Sequence, residues 1–172
     1  MRNSFFFPVL VLSLICLVMT AALALVNNVT GPIIARSARY RAESAMLALI
    51  PQAVGFEQLS FDSYPPSVQE AYRTLNDEGY IFVVLSSGYG GPMRIIAGID
   101  SDGRIIRTAV LAHSETPGLG TIAFDRAGAY EGKDSSLEGV DVVSGATITY
   151  LAHRRAIEEA FEAYRIVREM GR

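Results

Sequence analysis

The apolar and polar positions of the chain change texture several times. No charged residue stands between Arg2 and Arg36, and Phe5 to Val26 reads FFFPVLVLSLICLVMTAALALV. A helix of about 20 such residues matches the hydrocarbon core of a bilayer. The run is longer than the roughly 7–15 apolar residues of a secretory signal. It reads as an uncleaved N-terminal anchor. A cleaved signal peptide is the alternative, because Ala22-Leu23-Ala24 offers a small-x-small site behind a thin basic flank at Arg2. The flanking charges do not fix orientation, since Arg2 precedes the run and Arg36, Arg39 and Arg41 follow it.

Beyond the run, Thr30-Gly31-Pro32 carries the signals of a helix start, and IIARSARYRAESAMLALI reads as an amphipathic helix that Pro51 stops. Residues 52–66 lack a period and read as irregular. In SVQEAYRTLNDEG the spacing of Val68, Ala71, Tyr72 and Leu75 predicts a short helix that ends at Gly79. Tyr80 to Leu85, Met93 to Ile99 and Arg104 to Ala112 are β-rich, with a hairpin turn at Asp100-Ser101-Asp102-Gly103. Their apolar runs are long enough to predict a sheet covered on both faces. A variable stretch runs to Gly139. The chain then closes with a helix over about Tyr150 to Met170, striped by Leu151, Ile157, Ala160, Phe161, Tyr164 and Val167, with His153 facing solvent. The expected fold class is α+β: one N-terminal transmembrane helix followed by a mostly antiparallel sheet flanked by helices. The expected organisation is an anchor over 1–28, a membrane-proximal helix over 29–51 and a folded domain over 52–172.

Composition narrows the chemistry. The formal net charge is -3, without the basic footprint of a nucleic-acid binder. The single cysteine, Cys16, lies within the apolar run, so the folded domain has no thiol for disulfides, metals or nucleophilic catalysis. A hydrolase is disfavoured, because Ser144-Gly145 lacks the nucleophile-elbow pattern and neither His113 nor His153 is placed by spacing beside a hydroxyl. His113, Glu115 and Asp141 show no metal-ligand spacing. The loop SSGYGGP (86–92) is glycine-rich but lacks the lysine and helix start of a nucleotide loop.

One stretch remains, DVVSGATIT (141–149), which places three hydroxyls and a glycine ahead of the last helix. A helix N-terminus presents free N–H groups and the positive end of a dipole, which suits a phosphate. A plain helix cap by Ser144, Thr147 or Thr149 is the simpler reading.

Asp141-Val142-Val143-Ser144-Gly145-Ala146-Thr147 also resembles the D-x-x-[ST]-G-A-T flavinylation motif of the FMN-binding domain family. GYGGPMRIIAGIDSDGRI (88–105), HSETPGLG (113–120) and the N-x-x-T-x-P of Asn27 to Pro32 after a single span are similar to stretches of the same family, in the same order. Within it, the likeness is to the G subunit of ion-translocating Rnf electron transport complexes, close to the C subunit of the sodium-pumping NADH:quinone oxidoreductase. Relative to that pattern, the interval between Gly120 and Ser144 is short.

The resemblance implies an FMN-binding domain over 52–172. On that resemblance FMN would be held covalently by a phosphoester on Thr147, not Thr149. Ser144, Gly145 and Ala146 shape the attachment turn, and Asp141 serves recognition by a flavin transferase. Glu115, Thr116 and Leu119 lie near the flavin, as do Gly90 and Gly91. It further implies an electron carrier among the other subunits of a membrane complex that couples ferredoxin:NAD electron flow to sodium or proton movement. The protein is then a single-pass protein of the cell (inner) membrane with its flavin domain on the periplasmic or extracellular side. A free-standing membrane-anchored flavoprotein, carrier or sensor, is the alternative.

Overall fold

The computed structural model describes residues 6–60, 63–118, 120–125, 127–142 and 144–170. The chain divides into two compact units, residues 1–41 and 42–172.

Helix α1 covers Phe6–Leu49 and contains Pro32. Within it Phe6–Ile34, 29 residues, is long and apolar enough to cross a membrane, and none of it is buried against protein. The helix start expected at Thr30-Gly31-Pro32 is therefore not a start. The Thr30 hydroxyl does not cap forward but donates back to the Val26 carbonyl at 2.5 Å. Proline inside a helix removes one hydrogen bond and costs about 3 kcal/mol; continuous helix on both sides of Pro32 carries that cost.

The second unit is built on five antiparallel strands in the order β1-β2-β3-β4-β5, each paired with its sequence neighbours. They are β1 (Phe56–Leu59), β2 (Val68–Thr74), β3 (Gly79–Ser87), β4 (Pro92–Asp100) and β5 (Ile105–Ala112). After them come α2 (Ile122–Asp125), a single 3-10 turn at Ala127–Tyr130, and α3 (Thr147–Met170).

Strand β2 corrects the expected helix at 67–79. The register against β3 shifts between Val68 and Glu70, so Val68 and Ala71 reach the same core three residues apart. A bulge adds one residue to a period-2 strand and imitates helical spacing. Tyr72 packs on the opposite face, and Leu75 is exposed. Gly79, expected as a helix stop, opens β3, where a Cβ would overlap the Ile99 carbonyl oxygen of the paired strand. The irregular region expected over 52–66 contains β1.

Both faces of the sheet are covered, as the long apolar runs require. Phe82, Val84, Met93, Ile95, Ala97 and Ile99 form one core with Ala156, Ile157, Ala160 and Phe161 of α3. Ile81, Val83 and Ile96 form the other with Met46, Leu49 and Ile50. Gly98 faces this second core, where a Cβ would meet Leu49 and Ile50 at ordinary contact distance. The stripe expected on α3 holds at Ile157, Ala160, Phe161 and Val167 and fails at Leu151, which is exposed. Tyr164 is partly buried, its hydroxyl donating to Ser101 O at 3.0 Å. His153 is also corrected. It is fully buried, with its ring 5.2 Å from that of Tyr130 and edge-on to it. The stretch after Gly120 supplies this environment, because Ala123, Tyr130, Leu137 and Val140 all join the α3 core.

Candidate functional site

The site is assembled from the two glycine-rich turns and the start of α3. The first turn joins β3 to β4. Its Gly88 N–H donates to Gly91 O at 2.9 Å, and Gly91 adopts φ +130°, a conformation that favours glycine. The second turn follows β5. There Gly120 N–H donates to Thr116 O at 3.0 Å, and Gly118 N–H to Thr121 Oγ1 at 2.9 Å.

Glu115 joins the two turns. It is 5 % exposed, and its Oε1 accepts a hydrogen bond from Gly90 N at 3.0 Å. A Cβ at Gly88 would overlap Oε1, one at Gly120 would overlap Oε2, and one at Gly90 would overlap Ser114 O. The glycines are therefore the space into which a buried carboxyl group fits. Exposed His113 does not enter the site. Its Nδ1 accepts from Glu115 N at 3.2 Å, and its ring lies 5.0 Å from that of Phe124.

Helix α3 begins at Thr147, three residues earlier than the sequence pattern suggests. Gly145, at φ +95°, turns the chain into it. No atom lies within 4 Å of a Cβ placed on Gly145, so its need for glycine is conformational and not spatial. The first helical hydrogen bond runs from Tyr150 N to Ala146 O at 2.9 Å. The N–H groups of Thr147, Ile148 and Thr149 precede that ladder and point at whatever lies beyond the helix end. Ser86 Oγ donates to Ala152 O at 2.9 Å and ties β3 to the same helix.

Between the turns and the helix start lies a cavity of about 320 Å³, lined by Tyr89, Glu115, Thr116, Gly120, Gly145, Ala146, Thr147, Ile148 and Thr149. That volume falls within the range of small-molecule sites, about 300–1,000 Å³. Of the residues singled out in the sequence, Thr147, Gly145, Ala146, Glu115 and Thr116 line it. Ser144, Gly90 and Gly91 are not among the lining residues, and Leu119 lies outside the described residues. The two threonines of the motif differ in access: Thr147 is exposed, whereas Thr149 is 1 % exposed. Sequence reasoning passed over Tyr89, Gly120 and Ile148. An aromatic residue between glycines, and the last glycine of ETPGLG, were the signals for the first two.

Comparison with known proteins bears directly on this cavity. Residues 88–162, which carry both glycine turns and the start of α3, match the FMN-binding domain. That stretch is an FMN-binding domain. The chain is 27 % identical over 173 residues to the G subunit of the proton-translocating ferredoxin:NAD(+) oxidoreductase complex of Clostridium ljungdahlii, covering 94 % of this chain and 92 % of that one. It is 28 % identical over 198 residues to the G subunit of the ion-translocating oxidoreductase complex of Pseudomonas aeruginosa, covering 98 % and 92 %. The corresponding G subunit of Cereibacter sphaeroides is 35 % identical over 129 residues, covering 64 % and 54 %.

The residues present fit FMN. A phosphate has the N–H groups at the start of a 24-residue helix, and a planar ring has an apolar-edged cavity beside them. Glu115 and Thr116 supply polar groups on its wall.

Proposed function

We propose that the protein is the FMN-carrying electron-transfer subunit of a membrane complex that couples ferredoxin:NAD electron flow to sodium or proton translocation. FMN is held covalently, through a phosphoester on Thr147. The observation that carries this reading is the position of Thr147: the first residue of α3, exposed, and on the wall of the cavity.

FMN, when bound, supplies reversible one- and two-electron chemistry. The chain's own residues do the holding. The N–H groups of the first turn of α3 receive the phosphate, and the helix dipole favours its charge. The Thr147 motif holds no histidine, cysteine or lysine, and no activating base is needed if a separate flavin transferase does the joining. With FAD as donor, the Thr147 oxygen bonds to the FMN-side phosphorus, the pyrophosphate bond breaks, AMP leaves and the hydroxyl proton is released. Exposed Asp141 and Ser144 are open to that enzyme.

The domain organisation follows the same reading, with an anchor over 1–28, a membrane-proximal helix over 29–51 and the flavin domain over 52–172. The flavin domain lies on the periplasmic or extracellular side, where dilution would strip a loosely held cofactor and a covalent bond prevents it. In the full chain made alongside the transferase, Thr147→Ala removes in-gel flavin fluorescence and Thr149→Ala leaves it. The reverse pattern would assign the wrong hydroxyl.

A further inference from the structure

We infer that Tyr89 is the stacking platform for the flavin ring, and that Glu115 acts on the ring indirectly, as the positioning residue that holds the Tyr89 turn in place. The inference rests on the FMN reading of the cavity. Tyr89 lines that cavity and is 77 % exposed. The large aromatics Tyr130 and Tyr150 are fully buried, and Tyr80, Tyr164 and Phe124 pack against the core. An aromatic ring held open at the wall of a small-molecule cavity offers a face to a planar ligand. Planar ring systems stack on such a side chain whatever their edge chemistry.

Exposure alone would describe a floppy side chain. The backbone beneath Tyr89 is instead fixed on both sides. Gly88 N–H and Gly91 O close the turn at 2.9 Å, and Gly90 N–H is held by Glu115 Oε1 at 3.0 Å. Gly88 and Gly90 pack too closely on Glu115 and Ser114 to accept a side chain. A turn with no side chains except one aromatic, pinned from below by a buried carboxyl group, presents that aromatic in one place. Glu115 spends Oε1 on the turn, which gives it a role that does not require contact with flavin.

The test uses the full chain, produced with the transferase and purified from membranes, as wild type, Tyr89→Phe, Tyr89→Leu, Glu115→Gln and Glu115→Ala. Covalent flavin is quantified in each after denaturation, and native flavin emission is expressed per covalent flavin. A phenol stacked on flavin quenches its emission by donating an electron to the excited ring, whereas phenylalanine and leucine do not. Tyr89→Phe and Tyr89→Leu are expected to raise emission per flavin severalfold. Quenching by added iodide separates them: it rises severalfold in Tyr89→Leu, where the ring is uncovered, and stays near wild type in Tyr89→Phe.

Glu115→Ala is expected to behave as Tyr89→Leu although Tyr89 is present. Glu115→Gln, whose side-chain oxygen keeps the acceptor for Gly90 N–H, is expected to return towards wild type. Emission per flavin unchanged in both Tyr89 variants overturns the stacking role. Glu115→Ala with wild-type emission and iodide access overturns the positioning role. Wild-type chain without flavin would overturn the FMN reading itself, a result distinct from either. Tyr89 is exposed, so its variants keep the core intact.

Discussion

Gly90 N–H donates to Glu115 Oε1 at 3.0 Å across 25 residues of sequence, and this single bond fastens the β3–β4 turn to the turn that follows β5. The first turn closes the β3–β4 hairpin, whereas the second leads from β5 to α2. Joined, they make one wall of the cavity whose other wall is the start of α3. Burying a carboxyl group without partners is costly. Here the neighbouring glycines bring backbone within reach of it, so the glycines and the acid depend on each other.

That dependence predicts which glycines resist change. Gly120→Ala would drive a methyl group into Glu115 Oε2, with the Glu115 Cβ 2.9 Å away as well. Overpacking of this kind costs about 1–3 kcal/mol. Gly128→Ala meets nothing within 4 Å and takes the same methyl group into open space; surface changes of that sort stay within about 0.5 kcal/mol. Thermal unfolding of the purified full chain in detergent should show a lowered midpoint for the first variant only. Equal midpoints would mean that Glu115 moves aside at little cost.

The β2–β3 hairpin rests on Thr74, which is 1 % exposed. Its hydroxyl donates to Gly79 O at 3.1 Å and accepts from Gly79 N at 3.0 Å. Thr74→Val keeps the shape and removes both bonds, leaving buried polar groups that cost about 1–3 kcal/mol. The predicted result is a lower unfolding midpoint with flavin content unchanged, because the hairpin lies away from the cavity wall.

His153 predicts an acid-sensitive core. Burial pushes its pKa down from 6.5 to about 4, and neither ring nitrogen finds a hydrogen-bond partner among the described residues. Its surroundings include the rings of Phe124 and Tyr130. Burial, and secondarily the neighbouring Tyr150 hydroxyl, pushes the Tyr130 phenol well up, so it too stays neutral. Above pH 6.5 the imidazole is neutral in folded and unfolded chains alike, and it contributes no pH dependence. As pH falls from 6.5 towards 4, the unfolded chain binds a proton that the folded chain refuses, and stability drops. Below about 4 both forms are protonated and the loss levels off. The full loss is about 3 kcal/mol. His153→Phe keeps a ring in the site and removes the titration. The gap between wild-type and variant unfolding midpoints should therefore change across pH 7 to 4, with wild type losing more. A constant gap would show that the imidazole is solvated.

Much of this architecture was legible in the sequence, for physical reasons that differ by element. The apolar run gave α1 its membrane-length stretch, and Ile81 to Val84 required a sheet buried on both faces, because four consecutive buried residues must point both ways. The Asp100 to Gly103 turn was read correctly from its residues. Asp100 Oδ1 accepts from the N–H groups of Asp102 and Arg104, and Gly103 takes φ +80°. What was misread depended on partners distant in sequence. The bulge in β2 is visible only against β3, and it disguised a strand as a helix. His153 looked solvated because its cover, Tyr130, comes from a stretch without periodicity. Of the site, Thr147, Gly145, Ala146, Glu115 and Thr116 were legible through motif resemblance, and Tyr89 became conspicuous only when the glycines on either side were seen to pin it.

The central claim is that the chemistry at Thr147 is done to it and not by it. Mass spectrometry of the proteolytic peptide containing Asp141 to Arg154, from full chain purified out of cells that hold the flavin transferase, tests this most directly. The expected result is an added FMN less one water, with fragmentation placing it on Thr147. An unmodified peptide from those cells, or the addition on Thr149, would contradict it.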